Sequence, residues 1–276
     1  MMSIKLQNDL KYADSILKDE CKDIFRKIYT STNENLLLLF SKLNLDDKDV
    51  LSVLSSSDYL YMSYLFGARH VDSFDINPLT YRFFYLRKWL IKSSLIDIGI
   101  LTAENLLEII ENTEIGDSEN EKESLVFWKE ILMKMSETNF FNNPLFISSF
   151  NPFNFFYNDK LVDLSNKLSL INPTFYNIDI CEYSTFYTGR KYDYVFLSNI
   201  LDYNRKKESL DVIVNNLMGL TNNRGKVVCT HLPQTLNEDF SQVICLEQKC
   251  FERAFDYDQI VSDEIGKIYY YQYTKR

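Results

Sequence analysis

The stretch that decides the fold runs from Asp49 to Pro78 and reads DVLSVLSSSDYLYMSYLFGARHVDSFDINP. Its first six residues are mostly apolar and partly β-branched, which is typical of a buried parallel strand. Three serines then form a small-residue turn, and an apolar run over 59–66 has the length of a short helix. Gly67 is placed to end that helix in the left-handed conformation. A second strand-like run ends in Asp75, so the stretch indicates the opening of a βαβ unit.

The alternation of strands and helices continues along the chain. We predict strands at 49–54, 70–74, 173–179, 192–198, 226–231, 242–247 and 267–274. Helices are predicted near 6–18, 20–29, 33–43, 59–66, 77–92, 104–112, 122–135, 160–170 and 206–220, with a turn at 221–225. These elements predict an α/β protein with a doubly wound, mostly parallel, seven-stranded sheet. Residues 1–45 would form a helical N-terminal cap, and residues 46–276 the α/β domain with a helical insertion at about 95–170.

Composition and charge narrow the class of protein. The chain has 276 residues and a net charge of −9, which makes nucleic acid and anionic lipid poor default partners. The five cysteines are odd in number and include no CxxC pair, as expected for free thiols in a reducing compartment. The N-terminal residues lack the apolar core of a signal peptide, and no apolar run is long enough to span a bilayer. We therefore expect a cytoplasmic protein without stable membrane insertion.

Several chemistries lack their motifs in this sequence. Neither GxxxxGK[ST] nor GxSxG occurs, which argues against P-loop and hydrolase chemistry. The chain has two histidines and no cysteine–histidine spacing typical of zinc, so we predict no metal site. His70 begins the second strand, and we expect it to be structural.

The pattern resembles the class I fold of S-adenosylmethionine (SAM)-dependent transferases. This resemblance rests on the strand, turn and helix at 50–66, on an acid after each of the next two strands, and on the polar loop NILDY after the fourth strand. Within that fold, the sequence is similar to the BtaA-like family, which transfers the 3-amino-3-carboxypropyl group of SAM. The Asp-x-Asn-Pro motif of that family is matched by Asp75–Pro78, and its Ser/Gly-rich turn by Ser55–Ser57. The resemblance covers residues 49–92 and 171–231.

The resemblance implies SAM as the cofactor and gives roles to residues after each strand. Asp75 would accept hydrogen bonds from the ribose diol, about 20 residues beyond the first turn. The predicted cofactor-binding residues are Ser55, Ser56, Ser57, Asp58, Asp75, Asn77, Asp179, Ile180, Ser198 and Asn199. The serines and Asp58 would lie at the methionine end of SAM, and Asp179 and Ile180 at its adenine edge. A serine-rich helix start and plain strand-end acids are the structural alternatives.

Three further residues are candidates for the acceptor side. Asp202 would orient or deprotonate a nucleophile, Tyr203 would stack near the sulfonium, and His231 would act as a base. A helix-capping Asp202 and a packed Tyr203 are equally compatible with the sequence. The acceptor would be a small molecule or lipid-like compound, receiving a methyl or 3-amino-3-carboxypropyl group.

Two other functions fit parts of the sequence. The first function is a non-catalytic binding or regulatory protein on a degenerate transferase fold. It is favoured by the serines that replace glycines in the first turn and by the absence of the Asn/Asp-Pro-Pro-Tyr motif of amino-methylating enzymes. A nicotinamide-dependent oxidoreductase would use Asp75 for the NAD ribose. It would continue with parallel strands, whereas an antiparallel pair at the sheet edge is typical of the transferases, and GxGxxG is absent.

Overall fold

A computed structural model describes residues 2–18, 23–93, 102–112, 116, 118–135, 144–147, 167–168, 171–186, 189–232, 240–262 and 268–276. The helices are α1 Ile4–Lys18, α2 Leu36–Phe40, α3 Asp58–Leu65, α4 Leu79–Lys92, α5 Ala103–Asn112, α6 Glu119–Leu132, α7 Ile200–Tyr203, α8 Lys207–Leu220 and α9 Phe240–Phe251. The strands are β1 Ile28–Tyr29, β2 Asp49–Val53, β3 His70–Asp75, β4 Phe146–Ile147, β5 Phe175–Asn177, β6 Tyr192–Ser198, β7 Thr221–His231, β8 Phe255–Ser262 and β9 Tyr269–Lys275. Short 3₁₀ helices span Ile24–Arg26 and Ile180–Phe186.

The chain divides into two units. Unit 1 comprises residues 1–33, 54–58 and 75–172, and unit 2 comprises residues 34–53, 59–74 and 173–276. The first turn and Asp75 therefore belong to unit 1, while the strands that precede them belong almost wholly to unit 2. The sequence-based boundary between residues 45 and 46 stays a prediction.

The sheet of unit 2 confirms the predicted fold class. Seven strands run in the order β5-β3-β2-β6-β7-β9-β8. β2 pairs in parallel with β3 and β6, and β6 pairs in parallel with β7. β9 is antiparallel to both of its neighbours, β7 and β8. The sheet is thus mostly parallel, with an antiparallel hairpin at one end.

The core of unit 2 explains why these segments form strands. β6 buries four consecutive residues, Val195 among them, because helices cover both faces of a central parallel strand. α8 places Ile213, Val214 and Leu217 on one face, at helical spacing, and all three are fully buried. Beside the hairpin, α9 contributes Phe251, which stacks on Tyr273 with ring centroids 4.1 Å apart.

The C-terminal third departs from the sequence prediction in two places. Residues 242–247, predicted as a strand, lie in helix α9, and the strand at the edge of the sheet is β8, which was not predicted. The buried residues of α9 follow helical spacing: they are Val243, Ile244, Glu247, Cys250 and Phe251. The strand prediction is wrong because it interpreted one apolar helix face as the alternating pattern of a strand. The predicted pairing of 242–247 with 267–274 is therefore wrong in its first strand, although an antiparallel pair, β8 with β9, does lie at the sheet edge.

Smaller differences concern the ends of elements. The predicted turn at 221–225 is an irregular part of β7, where pairing with β6 skips from Thr221 to Lys226. The helix predicted at 20–29 is wrong, because a 3₁₀ turn and strand β1 occupy its described part. Most of the helix predicted at 160–170 lies outside the described residues.

The described part of unit 1 is mostly helical, with β1 and β4 paired in parallel as a separate two-stranded sheet. The predicted helices at 77–92, 104–112 and 122–135 correspond to α4, α5 and α6. Trp128 of α6 stacks on Phe146, with Phe83 edge-on to both rings. The Trp128 indole N–H donates to the carbonyl of Arg82 at 2.9 Å, and the fully buried Arg82 guanidinium pairs with Asp9 at 2.8 Å. Among the described residues, no helix is both long and apolar enough to cross a bilayer.

Gly67 ends helix α3 as the sequence predicts. Its φ of +92° lies in the left-handed region, which L-residues rarely adopt. A Cβ atom at this position would lie 3.0 Å from Asp46 Oδ1 and 3.2 Å from Asp46 Cα. Both the backbone conformation and the close approach of Asp46 therefore require glycine.

We expect Gly67→Ala to lower the free energy of unfolding by about 2 kcal/mol, because alanine resists the left-handed conformation. Urea unfolding followed by circular dichroism measures the change. Gly219→Ala is the matched control, since Gly219 lies in helix α8 with open space around it. It should raise stability by up to about 1 kcal/mol. An unchanged midpoint for Gly67→Ala would contradict this assignment.

Candidate functional site

The serine turn of unit 1 has the backbone shape of a glycine turn. Ser55 and Ser57 have φ values of 44° and 73°, so both adopt the left-handed conformation that usually selects glycine. Ser55 is partly exposed, whereas Ser56 and Ser57 are buried. The Ser57 hydroxyl is buried without a hydrogen-bond partner among the described residues. The sequence keeps the turn geometry but gives it side chains that a glycine turn lacks.

Asp75 binds this turn directly. Its Oδ2 accepts a hydrogen bond from the Ser55 N–H at 2.8 Å, and its Oδ1 accepts one from the Asn77 N–H at 2.9 Å. Burial raises the pKa of the Asp75 carboxyl from 3.8 to about 6, although these N–H groups and that of Ile76 act to lower it. Asp75 as a whole residue is partly exposed, and the Thr80 side chain also acts to lower the pKa of its carboxyl.

A buried arginine binds the serine turn through hydrogen bonds. The sequence analysis did not predict this contact. Arg87 of α4 is fully buried and donates hydrogen bonds to the Ser56 carbonyl and, at 2.7 Å, to Asp58 Oδ1. Asp58 Oδ2 accepts from the Ser56 hydroxyl at 2.8 Å and from the Thr32 N–H at 2.6 Å. Ser56 and Asp58 are therefore held by protein partners. An arginine inside the apolar stretch of α4 is the signal that would have revealed this contact.

Asn77 is part of the same turn structure. Its side-chain amide donates to the Lys27 carbonyl at 3.0 Å, and its Oδ1 accepts from the Leu79 N–H at 3.0 Å. Asn77 is only 2% exposed. Its amide thus fixes the start of α4 and orients the backbone N–H that Asp75 accepts.

In unit 2, Asp179 and Ile180 follow strand β5. The Asp179 carboxylate is partly exposed and accepts a hydrogen bond from the Cys181 N–H at 2.8 Å. Ile180 is buried, and its carbonyl accepts from the Asn216 side chain at 2.8 Å. The carboxylate that the sequence predicts for the adenine edge is therefore accessible, while the Ile180 side chain packs in the core.

Ser198 and Asn199 follow strand β6. Ser198 has a φ of 52° and donates its hydroxyl to Glu34 Oε1 at 2.6 Å. The Asn199 carbonyl accepts from the Asp202 N–H at 3.0 Å and so begins helix α7. Both residues are partly exposed.

The three predicted acceptor-side residues separate by exposure. Tyr203 is 45% exposed, whereas Asp202 and His231 are buried. His231 Nδ1 lies 2.6 Å from Asp202 Oδ1, and because a carboxylate only accepts, Nδ1 carries the proton. The structure thus brings Asp202 and His231 together, although they are 29 positions apart in the chain.

Glu247 and Cys229 complete a buried cluster around His231. Glu247 Oε2 lies 3.1 Å from His231 Nε2, and the Tyr273 hydroxyl donates to Glu247 Oε1 at 2.5 Å. Burial acts to lower the pKa of His231, but the charge of Glu247 and hydrogen bonds to Asp202, Cys229 and Glu247 raise it well above 6.5. Burial, and then the charge of Glu247, raise the pKa of the Cys229 thiol to about 12.

Comparisons with known proteins find structural likeness only. No protein-family model matches the sequence, and no curated protein matches it either. The fold is similar to that of N-methyltransferase NodS from Bradyrhizobium japonicum WM9 in complex with S-adenosyl-L-homocysteine, at 8% identity and a TM-score of 0.42, covering 97% of this chain and 98% of NodS. A TehB-like SAM-dependent methyltransferase from Corynebacterium glutamicum has the same identity and TM-score, with coverage of 98% and 99%.

The Ser57 backbone gives a first test. Ser57→Gly should raise the free energy of unfolding by about 0.5–1 kcal/mol, because glycine relieves the left-handed strain and removes a buried hydroxyl, at some entropic cost in the unfolded chain. Urea unfolding measures the change. Ser63→Gly is the control, since Ser63 is equally buried but lies inside helix α3. That substitution should lower stability by about 0.5–1 kcal/mol.

The Asp75 carboxyl gives a second test. We expect its carboxyl ¹³C resonance, assigned by its loss in Asp75→Asn, to titrate with a midpoint near pH 6. Because this pKa is raised on folding, the folded state binds the proton more tightly. The contribution of Asp75 to stability therefore falls as the pH rises from about 4 to about 6 and is constant above that window. A midpoint near 4 would contradict the burial of this carboxyl.

Proposed function

We propose that this protein is a SAM-dependent transferase whose ribose-binding carboxylate is Asp75. The observation that carries the proposal is the Asp75 carboxylate itself, which is bound to the N–H of the first turn in a residue that is partly exposed. In an open α/β sheet, ligands bind outside the carboxyl ends of the strands, and Asp75 is the last residue of β3. The antiparallel β8–β9 pair supports a transferase rather than a dehydrogenase, because a dehydrogenase sheet continues with parallel strands.

Asp75 has the charge state that a ribose diol needs. With a pKa of about 6, the carboxyl is mostly ionised at neutral pH. Its oxygens accept hydrogen bonds from the Ser55 and Asn77 N–H groups, and the Ile76 N–H and the Thr80 side chain also act on it. The ribose hydroxyls would share these oxygens with the protein donors. An ionised carboxylate at the end of a strand is compatible with SAM on this observation.

The other predicted contacts are proposed according to exposure. Ser55 is the exposed member of the serine turn, so we assign it to the methionine end of SAM. The adenine-edge role of Asp179 and the cofactor contacts of Ser198 and Asn199, all residues of unit 2, stay predictions from the sequence. Ser56, Ser57, Asp58 and Asn77 would support the Ser55 contact from within the turn.

When bound, SAM supplies an electrophilic carbon beside a sulfonium. A nucleophile of the acceptor displaces the sulfur, which keeps the electron pair of the broken C–S bond, so the chain needs mainly to position the acceptor and exclude water. Tyr203 of unit 2 is exposed, and its stacking role near a sulfonium stays a prediction from the sequence. Asp202 and His231 are buried together, so a base role would require the acceptor to reach them. A small molecule or lipid-like acceptor suits the net charge of −9 better than a phosphate backbone.

A second function is favoured by one observation. Arg87 binds both the Ser56 carbonyl and Asp58, and the Ser56 hydroxyl donates to Asp58. A turn fixed in this way suits a protein that binds SAM or S-adenosylhomocysteine as a signal without turnover. The two functions differ in whether bound SAM is consumed.

Calorimetric titration tests the proposal. We expect the full chain to bind both SAM and S-adenosylhomocysteine, with affinity that increases as the pH rises through 6, because ionised Asp75 is the better acceptor. Asp75→Ala should weaken binding by about 1–3 kcal/mol, the cost of unpairing polar groups. Asp75→Asn keeps the shape and should weaken binding by a similar amount.

Asp256→Ala serves as the control, since Asp256 is an exposed acid on β8 and should leave affinity unchanged. Circular dichroism verifies that each variant is folded. No heat with either ligand from folded wild-type protein would remove both functions. Binding without loss of SAM in the presence of cell-derived small-molecule extracts would favour the second function.

A further inference from the structure

A cluster of metal-ligand residues lies buried in unit 2. Cys229 and His231 are alternate residues of β7, so their side chains share one face of the strand. Glu247 projects toward them from α9, and all three side chains are buried. One ligand atom from each lies within 4.8 Å of the others. A thiol, an imidazole and a carboxylate are the three ligand types that zinc binds in proteins.

The distances match the corners of a tetrahedron. Cys229 Sγ lies 3.8 Å from His231 Nε2 and 3.6 Å from Glu247 Oε1, and Nε2 lies 3.4 Å from the same Oε1. Ordinary zinc–ligand bond lengths at tetrahedral angles place sulfur about 3.6 Å from nitrogen or oxygen, and nitrogen about 3.4 Å from oxygen. The three atoms therefore need little movement to bind one ion.

Surrounding residues hold two of the ligands in orientation. His231 Nδ1–H donates to Asp202, whose other oxygen accepts the Leu232 N–H at 3.1 Å. This hydrogen bond directs Nε2 toward Cys229 and Glu247, as in the carboxylate–histidine–zinc arrangement. Tyr273 donates to Glu247 and fixes that carboxylate in turn.

The protons of the cluster balance the charge of a bound ion. Asp202 and Glu247 are two buried carboxylates, and His231 is their ion-pair partner in the described part of the chain. A divalent cation would displace the Cys229 thiol proton and the proton that an imidazolium carries on Nε2, so the net charge of the buried cluster would stay the same. A cavity of about 240 Å³ is lined by Glu247, Gln242 and Arg205 among others.

We propose that Cys229, His231 and Glu247 bind a zinc ion, with Asp202 as the positioning residue for His231. A solvent molecule completes the coordination. The competing arrangement is a hydrogen-bonded cluster of the same side chains without metal. The proposal does not depend on SAM binding, since metal content is measured without any cofactor.

Elemental analysis of the full-length protein, purified without chelators, tests the site. We expect about one zinc per chain in the wild type, and less than a tenth of that in Cys229→Ser and Glu247→Gln. Cys250→Ser is the matched control, because Cys250 is also buried, on α9, but lies outside the cluster. It should keep the zinc. Asp202→Asn should weaken zinc affinity about 10–100-fold, as expected for a residue that orients a ligand.

Cobalt substitution keeps the test decisive even if a variant fails to fold. Chelator-stripped wild-type protein should take up Co²⁺ and show a thiolate-to-cobalt charge-transfer band, and Zn²⁺ should displace it. The band should persist in Cys250→Ser and vanish in Cys229→Ser. Wild-type protein that holds no zinc and takes up no Co²⁺ would overturn the proposal, as would equal metal binding by a folded Cys229→Ser variant.

Discussion

The ion pair between Arg87 and Asp58 fixes the turn on which the proposed cofactor contacts depend. Both side chains are fully buried, 2.7 Å apart, and Arg87 also binds the Ser56 carbonyl. Removing one partner of such a pair leaves an uncompensated charge, at a cost of about 3–5 kcal/mol. The pair holds Ser55 and Ser57 in the left-handed conformation without glycine, and so places the Ser55 N–H against Asp75. Glycine turns adopt this conformation because glycine has no side chain. Here hydrogen bonds from Arg87, on helix α4, hold the turn instead.

The sequence predicts the βαβ opening because several signals agree there. The strands are buried and contain β-branched residues, Gly67 marks the end of α3, and Pro78 marks the start of α4. Each local signal agrees with the element boundary that the structure shows. Strand β6 was predicted with its observed bounds for a similar reason, since an apolar run of this length between polar loops suits a central strand. Asp75 was identified from its position at the end of a strand and from the Asp-x-Asn-Pro motif, and the structure places it against the first turn. Its binding role remains a proposal.

The remaining features depend on contacts between distant residues. The apolar face of α9 was interpreted as a strand with alternating burial. For this reason the edge strand at 255–262 was not predicted, and Glu247 was not considered as a buried residue. In a helix, Glu247 lies among Val243, Ile244, Cys250 and Phe251, and an acid on an apolar face is a signal of burial with partners. The sequence around Cys229 and His231 likewise gives no sign of the cluster, because it forms only where β7 packs against α9. Local spacing contains no zinc motif because the proposed ligands come from two elements.

The hairpin that closes the sheet has a consequence for self-association. β8 stands at the end of the strand order, so one row of its backbone N–H and C=O groups lacks a neighbouring strand in the described sheet. Asp256 and Asp258 are exposed on this strand. Negative side chains repel an identical strand from a second molecule, and thus guard against the edge-to-edge pairing that leads to aggregation. Asp256 also pairs with Arg276, so Asp258 is the acid on this edge to which the repulsion applies most directly.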